Sequence, residues 1–214
     1  MTKKVKGIFL GGNFSYRITK DKKYFIKTCK GGREWILKEY ENLKNYWNKL
    51  NIEDLQLVEP IDYSEEKESL ITRYVDGKSL KDILNPKLYY IFGKKLKKFH
   101  DKGFIHGHID LTDILYTNGK FVLVDVPFFN ERTTMHDLVT IKISLNMHIL
   151  KKPWKFFKYR NCEKELLRGY NLENYSEYKR KYKELMKSRT NLLLRKGFFL
   201  KGMILKMLLL MKLI

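Results

Sequence analysis

Cysteine is scarce in this chain of 214 residues. The two cysteines, Cys29 and Cys162, lie far apart and outside any Cys-x-x-Cys pattern, which argues against a disulfide framework and against a zinc site. This cysteine usage fits a reducing, cytosolic compartment best. The opening residues MTKKVKGIFLGG contain an apolar run of only three residues, which is too short for a secretory signal.

Long uninterrupted apolar runs are also missing. Residues 191–214, NLLLRKGFFLKGMILKMLLLMKLI, are rich in apolar residues but are interrupted by five cations. A helix that crosses a bilayer needs about 20 predominantly apolar residues with few charges, so this segment is not expected to span a membrane. We expect a tail that lies in the membrane interface with its lysines at anionic head groups. Because the lysines do not fall on one helical face, docking of the tail on the rest of the chain or on a partner is the alternative.

Acidic residues are few relative to basic ones. The chain has 44 Lys and Arg against 24 Asp and Glu, a net charge of +20. This excess predicts attraction to polyanions such as a phosphorylated glycolipid, an anionic membrane or RNA, without choosing among them. Near the end of the chain, Tyr175, Tyr178 and Tyr182 alternate with Lys and Arg. Such a pattern suits sugars, phosphates or nucleic acid, and it equally suits a helix that packs through its tyrosines.

The apolar pattern predicts an α+β protein. Short apolar or alternating runs predict strands, and apolar residues at spacings of three and four predict helices. The predicted strands are residues 5–10, 16–19, 24–29, 55–63 and 69–75, and the predicted helices are residues 33–50 and 89–102. A mainly helical second half begins at the last of these. With 43% hydrophobic residues, the chain can form one compact core or two small lobes that share a cleft.

The most informative segment is residues 104–128, FIHGHIDLTDILYTNGKFVLVDVPF. Its apolar strand FVLVDV ends in Asp125, and a carboxylate at the mouth of a buried strand is costly unless it binds something. In the loop before that strand, His106, His108, Asp110 and Asp113 follow one another closely. The segment therefore holds most of the residues that could carry chemistry.

With the order of strands and helices, this segment resembles the catalytic region of the protein-kinase-like fold. In that fold a His-x-Asp loop carries the base, an Asn five residues later holds a metal, and an Asp after the next strand holds the magnesium of the nucleotide. The resemblance implies a bilobal α+β fold. A small antiparallel sheet with one helix would form an N-lobe over residues 1–76, an abbreviated, mainly helical C-lobe would cover residues 77–190, and the tail would follow at 191–214.

Two registers of the loop are possible. The ungapped register places His106 at the family's structural histidine, His108 at the base and Asp113 at the metal-binding Asn. The other register matches Asp110-Leu111-Thr112 to the Asp-Leu-Thr of some atypical kinases and makes Asp110 the base, but two residues are then missing before the metal position. The ungapped register fits the spacing better, and both His108 and Asp110 remain candidates for the base.

The resemblance also assigns the nucleotide site. Lys27 would contact the phosphates of ATP, Glu39 would pair with Lys27, and Asp113 and Asp125 would hold Mg²⁺. In the segment TRYVDGKSLKDIL, which resembles the hinge and first helix of small bacterial kinases, main-chain groups near Tyr74 and Val75 would meet the adenine.

Three further expectations concern neighbouring segments. The backbone at Gly11 and Gly12 can close over phosphates, although Gly-Gly-Asn is equally a plain hairpin turn. Ser79 is expected to cap a helix. Asp137 resembles the aspartate that supports the catalytic loop in this fold, with a helix cap as the alternative. The remaining histidines lack the spacing of metal ligands and are expected to be ordinary surface or cap residues: His100, His136 and His148.

Among kinase-like families, residues 5–185 are most similar to the small lipopolysaccharide-core kinases of Gram-negative bacteria. The resemblance implies transfer of the γ-phosphate of ATP to a heptose hydroxyl at the cytoplasmic face of the inner membrane, with a phosphorylated glycolipid or another anionic molecule as substrate. We expect a monomer, and nucleic acid is a less favoured partner. The alternatives are the compact kinase of the tRNA-threonylcarbamoylation complex and a pseudokinase scaffold, since the base position departs from the family pattern.

Overall fold

A computed structural model describes residues 2–6, 13–30, 33–126, 132–195 and 197. The N-terminal part forms a five-stranded antiparallel sheet in the order β1-β2-β3-β6-β5. Its strands are β1 (Thr2–Lys6), β2 (Asn13–Ile18), β3 (Tyr24–Lys30), β5 (Pro60–Ser64) and β6 (Ser69–Arg73). The prediction of a small antiparallel sheet is confirmed, although the predicted first strand, residues 5–10, lies partly outside the described residues.

One helix, α1 (Arg33–Trp47), packs against this sheet. Ile36 and Leu43 on its inner face are fully buried, and Glu39 on the same face is 6% exposed. Apolar residues at helical spacing therefore fix the face of α1 that meets the sheet, and Glu39 is carried inward with them. The helix was predicted over residues 33–50 and ends three residues earlier.

The predicted strand over residues 55–63 is wrong. The structure divides it into β4 (Leu55–Leu57) and β5, which belong to different sheets. β4 pairs in parallel with β9 (Lys120–Leu123), because Leu55 and Leu57 are buried beside that strand. The Val58 N–H still donates to the Leu123 carbonyl at 2.9 Å, and the chain then crosses to pair with β6.

The second sheet has the order β4-β9-β8-β7, with β7 at Lys78–Ser79 and β8 at Ile114–Thr117. The expectation that Ser79 caps a helix is wrong, because Ser79 pairs with Leu115 in this sheet and its Oγ donates to Asp82 Oδ2 at 2.9 Å. The next helix begins at Pro86, where the Asn85 side chain accepts a hydrogen bond from the Lys87 N–H. The division into lobes at residue 76 stays a prediction.

Among the described residues, four α-helices make up most of the chain after residue 85. They are α2 (Pro86–Asp101), α3 (Thr134–Lys151), α4 (Phe156–Tyr170) and α5 (Tyr175–Arg195). Every residue of α3 from Asp137 to Asn146 is buried, so this helix forms the centre of the helical half. Tyr178 and Tyr182 of α5 are buried as well, which supports packing through tyrosines over an exposed aromatic face.

The predicted tail begins inside α5, which continues to Arg195. Apart from Gly197, the residues after 195 lie outside the described part of the chain. Within the described part, none of the helices has the length and apolar character needed to cross a membrane. Cys29 and Cys162 are both buried, free cysteines.

The backbones of helices α2 and α4 lie unusually close together where they cross, because each helix carries a glycine at the contact. A β-carbon at Gly93 would lie 2.2 Å from the Leu166 carbonyl oxygen, and one at Gly169 would lie 2.0 Å from the Tyr90 carbonyl oxygen. Both distances are below any normal contact, and the atoms that would be met are backbone. The two glycines therefore set the separation of these helices.

We expect Gly93→Ala to lower the free energy of unfolding by about 1 to 3 kcal/mol, because the added methyl group must push α4 away from α2. Helix propensity alone predicts the opposite sign, since Ala is favoured over Gly by about 1 kcal/mol within a helix. Urea denaturation decides between these signs. Lys98→Ala, at an exposed position of α2, is the control and should change stability little. A Gly93→Ala protein as stable as the natural one would refute the close crossing.

Candidate active site

Lys27 lies at the centre of the site. It occupies an inward-facing position of β3, where only 7% of the residue is exposed. Its Nζ lies 2.7 Å from Glu39 Oε2 on α1 and forms a second ion pair with Asp125, which follows β9. A single ammonium group thus joins the first sheet, its helix and the second sheet.

Burial and neighbouring charges shift the pKa values of Lys27, Glu39 and Asp125 in different ways. Burial alone would lower the pKa of Lys27, but the carboxylates of Asp125 and Glu39 outweigh it and raise that pKa. Burial raises the pKa of Glu39 to about 7, against the attraction of Lys27. For Asp125, burial opposes ionisation, yet the charge and hydrogen bond of Lys27 prevail and lower its pKa. Asp125 is therefore the carboxylate that stays ionised, and 47% of its side chain reaches solvent in the cleft.

Asp113 lies next to Asp125. The Val124 N–H donates to the Asp113 carbonyl at 2.8 Å, so backbone pairing ties the two acidic residues together. Burial, followed by the charges of Asp125 and Asp110, raises the pKa of Asp113 well above its usual value. Asp125 has a backbone φ of +60°, a left-handed conformation that is uncommon for a residue other than glycine. Strained backbone and crowded carboxylates of this kind are typical of functional sites.

The donor set of Asp113 and Asp125 fits Mg²⁺. Two carboxylates that repel each other are stabilised by a divalent cation, and Mg²⁺ in phosphate-transfer sites is held by one or two carboxylates with phosphates and water as the other ligands. No group of three or more His, Cys, Asp and Glu residues arranged to hold a metal occurs in the part of the chain that the structure describes. Asp113 and Asp125 would therefore be the side-chain ligands that the protein contributes to the metal ion.

A cleft of about 540 Å³ contains most of the predicted site residues. Its lining includes Lys27, Glu39, Tyr74, Val75, Asp113 and Asp125, together with Tyr16, Phe25, Val58, Leu70, Leu115 and Thr112. At one end, the Tyr74 N–H donates to the Lys23 carbonyl at 2.9 Å, which fixes the segment predicted as the hinge. Gly11 and Gly12, predicted to cover the phosphates, lie outside the described residues. His108 and Asp110 are not among the residues that line the cleft.

The loop that carries His108 and Asp110 has alternating burial. Ile109 and Leu111 are fully buried, whereas His108 is exposed and Asp110 is partly exposed. The Thr112 N–H and hydroxyl both donate to Asp110 Oδ1 at 2.9 Å. The Asp110 N–H in turn donates to Asp113 Oδ2 at 3.0 Å. This loop therefore presents His108 and Asp110 on the same outer side. They lie beside Asp113 and Asp125, which are called the metal-type pair below.

Asp137 holds this loop in place, as predicted. Its Oδ2 accepts the His106 N–H at 2.9 Å and lies 3.1 Å from His100 Nε2, whose other ring nitrogen lies 2.7 Å from the Tyr170 hydroxyl. Asp137 is fully buried and α3 is capped at Thr133, so the alternative of a helix cap is excluded. The expectation that His100 is a surface or cap residue is wrong, because α2 turns its ring inward to this carboxylate.

Two arginines near the loop were missed at the sequence level. Arg189 on α5 has its Nη2 3.3 Å from His108 Nδ1, and Arg132 Nη1 donates to the Gly107 carbonyl at 3.1 Å and also contacts His136 Nε2. Burial, followed by the charge of Arg189, lowers the pKa of His108 to about 4, although part of the ring stays exposed. Arg189 is 81 residues from His108 in the chain, and no sequence pattern links them.

Comparison of the sequence with known proteins gives a partial match. No family model matches the chain. A curated relative, a probable bifunctional tRNA threonylcarbamoyladenosine biosynthesis protein of Methanobrevibacter smithii, is 28% identical over 128 residues, which are 57% of this chain and 22% of that protein. The chain thus matches less than a quarter of that relative's length.

Solved structures of aminoglycoside phosphotransferases are similar to this chain over most of its length. The ADP-bound enzyme APH(2'')-Ib has a TM-score of 0.61 at 10% identity, covering 98% of this chain and 92% of its own. The gentamicin complex of APH(2'')-IIa has a TM-score of 0.64 at 11% identity, with 96% and 90% covered. APH(3'')-Id from Streptomyces rimosus has a TM-score of 0.61 at 9% identity, with 85% and 90% covered. This chain therefore has the predicted bilobal protein-kinase-like fold, α+β, with an antiparallel sheet in its N-terminal part and a mainly helical second half.

Proposed function

We propose that this chain is an ATP-dependent phosphotransferase. The observation that carries the proposal is the ammonium of Lys27 between Glu39 and Asp125 on the wall of a cleft that Asp113 also lines. Phosphoryl transfer depends mainly on positioning and on neutralising the negative charge of the phosphates. A buried, fixed cation beside two carboxylates supplies both the direct contact to phosphate and the ligands for a metal ion.

Each side of the cleft suits one part of ATP. Main-chain groups near Tyr74 and Val75 would meet the adenine, and Lys27, oriented by Glu39, would contact the phosphates. Asp113 and Asp125 would hold Mg²⁺, which when bound neutralises the charge that develops on the phosphate oxygens. Asp125 would then exchange its ion pair with Lys27 for the metal and leave the ammonium group to the nucleotide. Of the loop residues, His108 and Asp110 are the two candidates to accept the proton of the acceptor hydroxyl.

For the acceptor, we propose a heptose of the lipopolysaccharide core. The net charge of +20 and the arginines beside the catalytic loop favour an anionic acceptor such as a phosphorylated glycolipid. A second candidate is an atypical kinase of the tRNA-threonylcarbamoylation type, which the 28% identity over 128 residues to the Methanobrevibacter smithii protein favours. A third is a pseudokinase scaffold that binds nucleotide without turnover, because His108 stands at the family's base position in the ungapped register.

We also propose that the protein acts as a monomer at the cytoplasmic face of the inner membrane. The basic, apolar residues after α5 would lie in the interface, where lysines meet anionic head groups. This location suits a glycolipid acceptor, which is itself held in the membrane.

Binding of MgATP is the first test. We expect a thermal shift and calorimetric binding with magnesium, and we expect Asp125→Asn to weaken the affinity for MgATP at least about tenfold, or about 1.4 kcal/mol, because a charged metal ligand is lost. Asp101→Asn is the matched control, since Asp101 is an exposed carboxylate at the end of α2. No binding at millimolar MgATP would end the kinase proposal, and equal loss in both variants would remove Asp125 from the site.

Transfer to an acceptor distinguishes the three candidate functions. With ATP labelled at the γ-phosphate, we expect label to appear on purified core glycolipid that contains heptose, and Lys27→Met to abolish this transfer because the phosphates lose their fixed cation. Mass spectrometry of the product identifies the phosphorylated sugar. Label on protein with none on glycolipid would favour the threonylcarbamoylation type, and nucleotide binding without any transfer would favour a pseudokinase.

The residues after α5 can be tested separately. A chain that ends at Gly197 keeps α5 intact, so loss of residues 198–214 should not unfold the helical half. We expect the shortened protein to leave vesicles that contain anionic lipid, while the full chain co-sediments with them and dissociates at high salt. Equal binding of both proteins to the vesicles would refute membrane association through the tail.

A further inference from the structure

The contact between Arg189 and His108 determines what the imidazole can do. A guanidinium group has only N–H donors, so His108 Nδ1, 3.3 Å from Arg189 Nη2, must act as the acceptor. In a neutral imidazole the other nitrogen, Nε2, then carries the proton. The positive charges of Arg189 and Arg132 also disfavour a protonated ring. His108 therefore presents an N–H donor at the free edge of its ring and has no lone pair to offer as a base.

Because His108 cannot act as the base, Asp110 is the remaining candidate for that role. One oxygen of its carboxylate is held by Thr112, and the carboxylate is partly exposed on the outer side of the loop. Its N–H donates to Asp113 Oδ2 at 3.0 Å, and its side chain lies on the same outer side of the loop as His108, two residues earlier. Asp110 therefore lies between the metal-type pair and the basic residues.

The basic residues around His108 form a concentrated positive group. Arg180 and Lys181 of α5 both pair with Glu184, the first at 2.8 Å and the second at 3.4 Å, whereas Arg189 donates to the ring of His108. Arg132, across the loop, is fixed on the Gly107 carbonyl. Burial lowers the pKa of Arg189 against the opposing charge of Asp110, and it lowers the pKa of Arg132 against the charge of Asp137. A further anion would therefore stabilise the charged form of both arginines. None of these residues lines the cleft of Lys27.

We infer that Arg189, Arg132 and the Nε2–H of His108 bind a phosphate group carried by the acceptor, and that Asp110 beside them is the base. The inference rests on the proposed phosphotransferase function and adds the chemical class of the acceptor. Two guanidinium groups and one N–H donor suit the oxygens and charge of a phosphate group. In the transfer step, the acceptor hydroxyl gives its proton to the Asp110 carboxylate, its oxygen bonds to the γ-phosphorus, and the bond to the bridging oxygen of ADP breaks.

Inorganic phosphate is the probe for this site. The protein is labelled with ¹⁵N-histidine and saturated with magnesium and a non-hydrolysable ATP analogue, so that the γ-phosphate position is filled. The ring signals of His108 are assigned by their loss in His108→Gln. We expect the Nε2–H tautomer in the free protein and a saturable shift of the Nε2 signal as phosphate is added.

The matched variants are Arg189→Gln and Arg180→Gln, which remove the same charge from the same helix. We expect Arg189→Gln to weaken phosphate binding at least about tenfold and Arg180→Gln to leave it unchanged. Arg189→Lys retains the charge and should recover part of the affinity, which separates loss of the site from a failure to fold. In the transfer assay, Asp110→Asn should lower kcat at least about 100-fold, the loss typical of removing a general base, with MgATP affinity unchanged.

Several results would overturn the inference. In the NMR experiment, they are a proton on Nδ1 of His108, or no saturable shift of its Nε2 signal as phosphate is added. In the variants, they are equal losses of phosphate affinity in Arg189→Gln and Arg180→Gln, or full turnover in Asp110→Asn. Competition between phosphate and the ATP analogue would also overturn it, because the arginines would then belong to the nucleotide site. Failure of the proposed function gives a different result. The analogue then does not bind, while phosphate still shifts the His108 signal.

Discussion

The ion pairs of Lys27 hold the two halves of the site together. β3 supplies the ammonium group, α1 supplies Glu39, and the segment after β9 supplies Asp125. Burying these charges costs solvation energy that their mutual attraction offsets only in part, so the arrangement contributes more to position than to stability. What the fold gains is a cation at a fixed point on the cleft wall, with Asp113 and Asp125 beside it. Every role proposed for the cleft depends on this placement.

A second constraint acts on the loop from His106 to Asp113, on the side away from the cleft. Asp137 receives the His106 N–H and contacts His100, so α2, α3 and the loop meet at one buried carboxylate. With the loop anchored at His106, the residues that follow alternate between core and solvent. That alternation brings His108 and Asp110 to the outer side and places Arg189 of α5 within reach of His108. The loop is therefore fixed relative to both the cleft and the last helix.

Apolar patterns, together with the resemblance to the protein-kinase-like fold, were sufficient to predict which residues meet at the cleft. Lys27 in an alternating strand, Glu39 on the apolar face of a helix and Asp125 at the end of an apolar strand all lie on the cleft. Sequence patterns failed where long-range pairing decides the structure. Residues 55–63 look like one strand because both halves are apolar, and only the pairing of β4 with β9 divides them. Ser79 is of a residue type that often caps helices, but its pairing with Leu115 places it in a strand. The buried position of His100 depends on Asp137, 37 residues away.

The choice between His108 and Asp110 shows the same limit. Spacing in the chain favours His108 for the base, since the ungapped register puts it at the right distance from Asp113. The hydrogen-bond partner of its ring is Arg189 on α5, and that partner determines which nitrogen carries the proton. A residue at the base position can therefore serve in binding, while its neighbour two positions later serves in proton transfer.

The most direct test of the nucleotide site is a crystal structure with Mn²⁺ in place of Mg²⁺ and with ADP. The proposed site predicts an anomalous peak within bonding distance of both Asp113 and Asp125, with the Lys27 ammonium on a phosphate oxygen and the adenine against the segment of Tyr74 and Val75. A Mn²⁺ ion bound elsewhere, or ADP outside the cleft of Lys27, would contradict the account.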